Sequence, residues 1–381
     1  MKKLKKVISL LAAVLIVLTG CGQDVPPVTT VPQTTATAVT TDPTQPSTTP
    51  PTTPPTTQPT QTEPPITEPQ PVASYTLSFA GDCTFGDNYD AQDIFGTFTK
   101  VVKDRYDYPF ANVEHIFEND DYSLVNLECA LTESDPTEEE MEELKDHRFR
   151  FRGPAAYTQI LIEGGVEFAS CSNNHSRDYG MQGLYDTWDA LEEAELDYAS
   201  FGRNCVVTTE SGLTIGIFAP FFWVTKASAE AQVKNMEARG AEIIIMSIHW
   251  GEEGVYKPNE SQMQMARNAI DAGVDIVFGH HSHTLMPVET YNGGIIYYSL
   301  GNFSFGGNRN PPDKDTVILQ QEILRWPDGS VTVGDLTPIP CRVSSVPGWN
   351  NFQPTPFTEE DPEYARVLAK LEGSYIGDDG S

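Results

Sequence analysis

The 381-residue chain has little positive charge, with 24 Lys and Arg against 54 Asp and Glu, which leaves a formal charge of −30. Because phosphate backbones are bound by basic surfaces, this deficit argues against nucleic acid as a partner. It also argues against broad electrostatic adhesion to an anionic membrane. Long hydrophobic runs are lacking too, since the apolar stretch 7–18 is shorter than the ~20 residues that span a bilayer.

Cysteine is scarce, with six residues and no C-x-x-C pair. Five remain once Cys21 is set aside, so an exported protein would keep at least one free thiol unless chains pair. Cys83, Cys129 and Cys171 lie within three residues of the candidate ligands named below. We expect them to be buried as small hydrophobic side chains at strand ends, and a thiolate-bound metal is the alternative.

The first 21 residues resemble a bacterial lipoprotein signal. Four Lys within residues 1–6 precede the apolar stretch, which ends in Leu18-Thr19-Gly20-Cys21. The interpretation is a signal peptide over residues 1–20 and a Cys21 acylated with, for example, palmitate, which would anchor the protein on the extracellular face of the cell membrane. The alternative is an ordinary cleaved signal followed by an incidental cysteine.

Residues 21–73 form a predicted stalk. After Cys21 this segment has no Lys, Arg or aromatic residue and is mostly Thr and Pro, so it cannot bury an apolar core. Polyproline II at ~3.1 Å per residue would extend it to about 150 Å. Residues 74–345 then form the predicted folded domain, and residues 346–381 a partly ordered C-terminal extension.

From residue 75 short apolar strands alternate with helical patterns, which predicts an α/β fold with antiparallel additions near the end. The predicted strands are residues 75–80, 122–127, 166–170, 213–219, 242–249, 274–278, 295–300, 316–324 and 330–336. The predicted helices are residues 109–118, 155–163, 180–194, 228–239 and 260–272. In open α/β folds, ligands bind at the carboxyl ends of the strands.

Chemically versatile side chains follow five of these strands. Five of the seven histidines of the chain lie there. The residues are Asp82, Glu128, Asn174 with His175 and Asp178, His249, and the run His280, His281 and His283. Three imidazoles within four residues have no packing rationale, so this pattern predicts a metal site.

Neutral imidazole and carboxylate ligands suit Zn, Mn or Fe, and a pair of divalent ions needs a bridging carboxylate. His281 and His283 point to the same side and could each serve one ion, although His280 is an alternative ligand in that run. Asn174 offers a carbonyl oxygen. His175 would then face the substrate, with Asp178 as its orienting partner.

Two groups of arginines are candidates for anion binding. Arg148, Arg150 and Arg152 alternate with Phe149 and Phe151, which indicates either an edge strand protected by charge or a strip that recognises carboxylate or phosphate.

The better anion-binding candidate is Arg177, which lies inside the Asn-Asn-His segment.

The motifs together resemble the bacterial capsule-synthesis CapA family, which is similar to calcineurin-like metallophosphoesterases. They are Gly81-Asp82, Asn126-Leu127-Glu128, Asn173-Asn174-His175, His249-Trp250-Gly251, Gly279 to His283, and Gly301-Asn302-Phe303. The resemblance covers residues 75–307 and implies a four-layer αββα sandwich around two metal ions.

The resemblance also implies roles for single residues. Asp82 and His283 would bind the first ion and Glu128 would bridge. The second ion would be bound by Asn174, His249 and His281, and His175 would be the acid. The chain departs from the Asp-x-His opening of metallophosphoesterases, because Cys83 and Thr84 follow Asp82.

Three functions are consistent with these features. The first is implied by the resemblance, since the CapA family is linked to poly-γ-glutamate production. It is a membrane-anchored extracellular protein that acts in synthesis, export or anchoring of an anionic capsule polymer such as poly-γ-glutamate, with the polymer or its synthesis machinery as partner. The second is a secreted metal-dependent hydrolase of phosphoesters or of the polymer itself, with water as nucleophile. The third is a metal-stabilised binding module without turnover. Fold resemblance alone does not decide whether the protein is an enzyme.

Overall fold

The computed structural model describes residues 69–91 and 95–376. The predictions for the signal peptide, for Cys21 and for most of the stalk lie outside these residues. Within the described ranges, no helix combines the length and the apolar character that crossing a membrane requires.

The first sheet has eight strands within the described chain, and its central strands are parallel. In spatial order they are β17 (Thr355–Pro356), β16 (Val331–Arg342), β15 (Asp315–Arg325), β1 (Ala73–Thr84), β3 (Tyr122–Leu127), β6 (Phe168–Ser170) and β7 (Asp197–Ala199), with β14 (Asn302–Phe305) paired to the end of β1. The antiparallel strands β15 to β17 extend one side of the sheet.

The second sheet has six strands, with a parallel centre and an antiparallel strand at each edge. Their order is β12 (Val288–Tyr291), β13 (Gly294–Tyr297), β11 (Ile276–His280), β10 (Ile243–His249), β9 (Thr214–Phe218) and β8 (Cys205–Thr208). A small third sheet contains β2 (Asp87–Asn88), β5 (Phe151–Gly153) and β4 (Ala130–Leu131), in that order.

Eight α-helices connect these strands in the described residues. They are α1 (Phe98–Val102), α2 (Glu114–Phe117), α3 (Glu138–Glu143), α4 (Thr158–Glu163), α5 (Gly180–Glu193), α6 (Lys226–Ala238), α7 (Glu260–Ile270) and α8 (Pro362–Leu371). Short 3₁₀ turns cover Leu144–Asp146 and Ala155–Tyr157.

The two large sheets pack face to face, with the main hydrophobic core between them. The Phe79 ring on β1 lies 5.1 Å from Phe278 on β11 and 5.2 Å from Tyr297 on β13, between ring centroids. Full burial of such a side chain stabilises the fold by about 1.5–3 kcal/mol. A second core lies between the first sheet and helices α2, α4 and α5, and a third between the second sheet and helices α6 and α7. The layers therefore run αββα, which confirms the predicted four-layer sandwich.

Most predicted strands and helices are present with boundaries shifted by a few residues, and three segments differ from their prediction. The predicted helix 109–118 is mostly turns, with helix only over Glu114–Phe117. The acidic segment 133–143, for which no helix was predicted, contains α3, which has no buried residue and begins with a capping box between Thr137 and Glu140. The predicted arginine-bearing edge strand is wrong, because β5 covers only Phe151–Gly153 and is the middle strand of the third sheet.

The C-terminal segment contributes to the cores rather than standing apart. Phe352 packs in the core behind the first sheet, and Phe357, Val367 and Leu371 join the core between the two large sheets. The sequence-based helix assignments did not include α8.

Candidate metal centre

The first carboxylate of the site stands where β1 bends between the two sheets. Asp82 pairs with Asn126 on β3 and with Asn302 on β14, and its backbone N–H donates to Gly301 O at 2.9 Å. The neighbouring Gly81 permits this close approach, because a Cβ there would lie 2.0 Å from Gly301 O. Asp82 is fully buried.

A pair of buried amides orients that carboxylate. Asn126 Nδ2 donates to Asp82 Oδ1 at 2.9 Å, and Asn173 Nδ2 donates to Asn126 Oδ1 at 3.2 Å and to Leu127 O at 2.8 Å. Asn173 Oδ1 in turn accepts from the backbone N–H of His175 at 3.2 Å. The sequence analysis assigned neither asparagine a role, and the available signal was their position inside the ligand motifs.

Glu128 lies at the carboxyl end of β3, and the histidines of the second sheet reach it. His249 Nε2 is 3.3 Å from Glu128 Oε1, and His283 Nε2 is 3.9 Å from the same oxygen. His283 Nδ1 also lies 3.2 Å from Asp82 Oδ2. The His281 ring packs 4.5 Å from the His249 ring, between centroids.

These side chains form two groups with the spacing of metal-ligand sets. One is Glu128, His249 and His281, and the other is Asp82, Glu128 and His283, with the ligand atoms within 4.8 Å of one another in each group. We call these five residues the donor cluster. Glu128 belongs to both groups, which is the position of a bridging carboxylate.

The donor cluster fits a cation because its buried polar atoms are left without partners by the protein. Within the described residues, both Glu128 carboxylate oxygens, His249 Nε2 and His281 Nδ1 have no hydrogen bond. Asn174 Oδ1 is in the same condition within the described chain. Buried polar atoms are normally satisfied, so a set of orphaned oxygen and nitrogen donors points to a ligand that is a Lewis acid.

The backbone that presents the last two histidines is strained. His281 has φ 95° and His283 has φ 56°, both in the left-handed region that non-glycine residues rarely occupy. Such conformations cost about 1–3 kcal/mol each and concentrate at functional sites. The turn thereby directs both imidazoles toward the first sheet.

His280 occupies a different position from its neighbours. Its Nδ1 lies 3.6 Å from Asp82 Oδ1, and its Nε2 lies 3.1 Å from Ser247 Oγ, which also donates to Ser170 Oγ at 2.7 Å. His280 is therefore wedged between the sheets behind Asp82. The structure places His281, not His280, in the group with Glu128 and His249.

His175 and Asp178 form a buried pair beside the cluster. His175 Nδ1 lies 2.7 Å from Asp178 Oδ2, which also accepts from the backbone N–H of Phe151 at 2.7 Å. His175 Nε2 lies 4.0 Å from Glu128 Oε1. Burial alone would lower the pKa of His175, but the Asp178 and Glu128 carboxylates outweigh it and raise that pKa above its usual value.

The two carboxylates of the cluster differ in proton affinity. Burial and the charge of Asp82 raise the pKa of Glu128 to about 8. Burial acts in the same direction on Asp82, but the contact with His283 and the charge of His283 reverse the effect and hold the pKa of Asp82 well below its usual range. Two buried carboxylates this close cannot both be charged unless positive charge lies between them.

The imidazoles of the donor cluster also differ in proton affinity. Burial lowers the pKa values of His249 and His281 to about 3 each, which keeps both rings neutral and able to bind a metal. Burial would also lower the pKa of His283, but the charges of Glu128 and Asp82 raise it to about 9, with a smaller contribution from Glu253.

A cavity of about 420 Å³ opens beside the donor cluster. His175, His283 and Asn302 line the part of its wall that belongs to the site motifs, and aromatic side chains line much of the rest. The other lining residues include Phe149, Phe151, Phe305, Tyr256, Glu253 and Asp313.

The structure places the predicted anion-binding arginines elsewhere. Arg177 is exposed, and its guanidinium lies over the Phe201 ring, 4.9 Å from the centroid. Arg150 packs on Tyr89, and Arg152 pairs with Asp135 at 2.8 Å. Among the described residues, no arginine lines the cavity.

The described cysteines behave as small core residues. All five are free, and Cys83, Cys129, Cys171 and Cys341 are buried. Burial raises the pKa of the Cys83, Cys129 and Cys171 thiols, which disfavours thiolate. Neither ligand group found in the described chain includes a cysteine. Trp250 is buried and donates from Nε1 to Tyr298 O at 3.0 Å.

The structure is thus an αββα sandwich with carboxylates and imidazoles at the carboxyl ends of the parallel strands of both sheets, the arrangement that the resemblance to metallophosphoesterases implied. The model of the bacterial capsule synthesis proteins, PGA_cap, matches residues 76–220 and 207–307, which is more than half of the chain. The chain therefore belongs to this capsule-synthesis family, the CapA family.

Individual relatives agree with this assignment. The chain is 30% identical over 281 residues to the capsule biosynthesis protein CapA of Bacillus anthracis, which covers 66% of this chain and 66% of that protein. It is 28% identical over 303 residues to the PGA biosynthesis protein CapA of Bacillus subtilis strain 168, which covers 71% of this chain and 75% of that protein.

Among solved structures, NAD nucleotidase of Haemophilus influenzae is similar over 79% of this chain and 63% of that one. The sequence identity is 12% and the TM-score is 0.39. That overlap is too weak to carry over any function.

Proposed function

We propose that this protein is anchored to the extracellular face of the cell membrane through Cys21. There it acts in synthesis, export or anchoring of an anionic capsule polymer such as poly-γ-glutamate. Membership of the capsule-synthesis family and the names of the two Bacillus relatives support the polymer. The lipobox-like residues 18–21 support the anchor. Its partners are then the membrane and the polymer or its synthesis machinery.

The observation that carries the proposal is the sharing of Glu128 between two ligand groups whose buried atoms lack partners within the described chain. Asp82, Glu128 and His283 would hold one divalent ion. Glu128, His249 and His281 would hold a second, with Asn174 offering its orphaned Oδ1. The donor set suits Mn, Zn or Fe. When bound, the ions would act as Lewis acids on a substrate oxygen.

A hydrolase of phosphoesters or of the polymer itself is the second candidate function, and the His175–Asp178 pair favours it. Asp178 accepts from Nδ1 and fixes the ring, so Nε2 is left toward the cluster. The Asp178 and Glu128 carboxylates favour the protonated ring by raising its pKa, and a protonated ring can deliver its proton from Nε2 to a leaving group.

Metal analysis and polymer production test the proposal together. The full chain is purified for measurement of metal content, and each variant is also expressed in cells that depend on it for capsule polymer. We expect His249→Ala to lose both metal and polymer. The exposed His115→Ala serves as a matched control and should keep both. Unchanged metal content in His249→Ala would overturn the proposal.

His175→Ala separates the candidate functions. Loss of polymer production with retained metal supports chemistry at the site, and a chelator-sensitive hydrolysis assay then tests the hydrolase directly. Production that survives His175→Ala but fails in His249→Ala supports a metal-stabilised binding module without turnover.

A further inference from the structure

A group of aromatic side chains follows β9 at the end of the second sheet that carries the donor cluster. Phe221 and Trp223 are 46% and 62% exposed, and exposed rings grouped in this way mark binding surfaces. β9 runs parallel to β10, and the backbone of Phe221 forms a bridge with that of His249 at the end of β10. The loop is therefore fixed at the carboxyl end of the sheet, where α/β folds bind their ligands.

The backbone holds two further rings beside these in strained conformations. Phe222 has φ 57° and Phe201 has φ 40°, positive values at which a bulky residue is an outlier. The N–H of Trp223 donates to Phe221 O at 2.7 Å and closes a tight turn around Phe222. Strain of this kind concentrates at functional sites. We call Phe201, Phe221, Phe222 and Trp223 the aromatic patch.

Ring contacts connect the aromatic patch to the donor cluster. Between ring centroids, Phe201 lies 5.2 Å from Phe221, and Phe221 lies 4.1 Å from Phe222. The Phe222 ring in turn lies 6.3 Å from both His249 and His281. A row of rings thus leads from the surface to the imidazoles of one ligand group.

Arg177 gives the aromatic patch a positive charge at its outer end. Its guanidinium lies over the Phe201 ring, 4.9 Å from the centroid, and no acid among the described residues pairs with it. Stacking occupies the face of the guanidinium and leaves the N–H donors at its edge free to bind a carboxylate in a bidentate manner. In a chain with a formal charge of −30, an exposed arginine without an acidic partner is a place where a polyanion can bind.

We propose that the aromatic patch and Arg177 bind the anionic polymer beside the donor cluster. Arg177 pairs with a free carboxylate of a γ-glutamyl chain, and the methylene groups and amide planes of that chain pack on the exposed Phe221 and Trp223 rings. The chain then follows the row of rings toward His249. The inference rests on the proposed function and names the surface that the polymer contacts.

The test is calorimetric titration of the full chain with a short γ-glutamyl oligomer and with the same oligomer after conversion of its carboxylates to amides. EDTA is present, so that the carboxylates do not bind through metal ions. We expect the acidic oligomer to bind at least about tenfold more tightly, since it alone forms charge-assisted hydrogen bonds with Arg177. Arg177→Ala should remove this preference. Trp223→Ala should weaken the binding of both oligomers by about fivefold, because apolar contact area is lost.

Each variant has a matched control. Arg239→Ala removes an exposed arginine at the opposite end of α6 from the aromatic patch. Trp349→Ala removes a ring that is 46% exposed and lies outside the patch. Both controls should bind the oligomers as the unaltered chain does. Metal content, measured separately without EDTA, should be unchanged in Arg177→Ala and Trp223→Ala.

No binding of either oligomer, equal binding of the two, or an Arg177→Ala variant that binds as Arg239→Ala does would each overturn the inference. Exposed aromatic residues also contact membranes, so binding to phosphatidylcholine vesicles is measured in parallel. Vesicle binding that depends on Trp223, without oligomer binding, would assign the aromatic patch to a lipid surface instead. These readouts follow polymer binding without metal, so they are distinct from failure of the proposed function, which is read from metal content and polymer production.

Discussion

Two clusters of this protein contain buried carboxylates and differ in how the negative charge is compensated. In the ion-pair cluster, formed by Asp313, Asp315, Arg366 and Lys370, every carboxylate meets a cation of the chain. Lys370 Nζ lies 2.7 Å from Asp313 and 2.8 Å from Asp315, and Arg366 donates twice to Asp315 at 2.6 and 2.7 Å. Burial raises the pKa of Asp315, but Arg366 and Lys370 outweigh it and lower that pKa below its usual value.

The donor cluster contains carboxylates that are just as buried but has no lysine or arginine among its described members. Its Glu128 consequently has a pKa raised to about 8. The difference shows which cluster is complete in itself. The ion-pair cluster joins α8 to β15 and serves the fold, whereas the donor cluster has no lysine or arginine among its described members and is suited to bind cations from solution.

The largest expected effect comes from removing the lysine of the ion-pair cluster. Lys370→Met would leave Asp313 and Asp315 buried with less compensation, at a cost of about 3–5 kcal/mol in the free energy of unfolding. Urea denaturation measures this loss. Lys145→Met is the control, because Lys145 pairs with Glu142 on the surface and should cost less than about 1 kcal/mol. Equal losses in the two variants would show that burial does not distinguish the pairs.

The next largest effect is expected from changing Glu128, the residue that both ligand groups of the donor cluster share. Glu128→Gln keeps the shape but removes the charge common to both ligand groups, so we expect metal affinity to fall by about 100-fold. Calorimetric titration with Mn²⁺ or Zn²⁺ measures the affinity. Glu133→Gln alters an exposed acid and should leave it unchanged. Full affinity in Glu128→Gln would remove the basis for a bridging role.

The donor cluster should also bind metal in a pH-dependent way. Folded-state pKa values raised to about 8 for Glu128 and about 9 for His283 mean that both groups hold protons at neutral pH in the metal-free protein. A cation must displace these protons, so apparent affinity should rise as pH rises from 6 toward 9, by up to about tenfold per pH unit for each proton released.

Titrations at pH 6, 7 and 8 measure this dependence, and Glu128→Gln should reduce the slope. An affinity that is constant over this range would contradict the raised pKa values.

The smallest effect is expected outside both clusters. Arg177 is exposed on the Phe201 ring, so Arg177→Ala should change the free energy of unfolding by less than about 0.5 kcal/mol and leave metal affinity unaltered. Thermal and urea denaturation with a parallel metal titration check this. A fall in metal affinity would contradict this prediction, whereas a loss of polymer production alone would agree with the carboxylate-binding role proposed for Arg177.

Part of the candidate site could be predicted from the sequence. Strand ends were predictable because apolar runs stop abruptly at polar residues, and carboxyl ends of parallel strands meet at one edge. The roles of Asn126 and His280 were not predictable. Both depend on contacts with Asp82, which is distant from Asn126 and His280 in the sequence, and no local pattern records such contacts. The same limit applies to the arginines at β5, because Arg150 just before the strand packs on Tyr89, whereas Arg152 within it contacts Asp135 and Tyr179.

By itself the sequence determined the alternation of strands and helices, the excess of acids and the family motifs, because periodicity, charge and spacing are properties of neighbouring residues. Only the tertiary structure decided that Glu128 belongs to two ligand groups and that Lys370 pairs with the carboxylates of the ion-pair cluster. It also decided that Glu253 faces an aromatic cavity. The physical reason is that burial and the nearest opposite charge set the chemistry of a carboxylate, and folding brings both from distant parts of the chain.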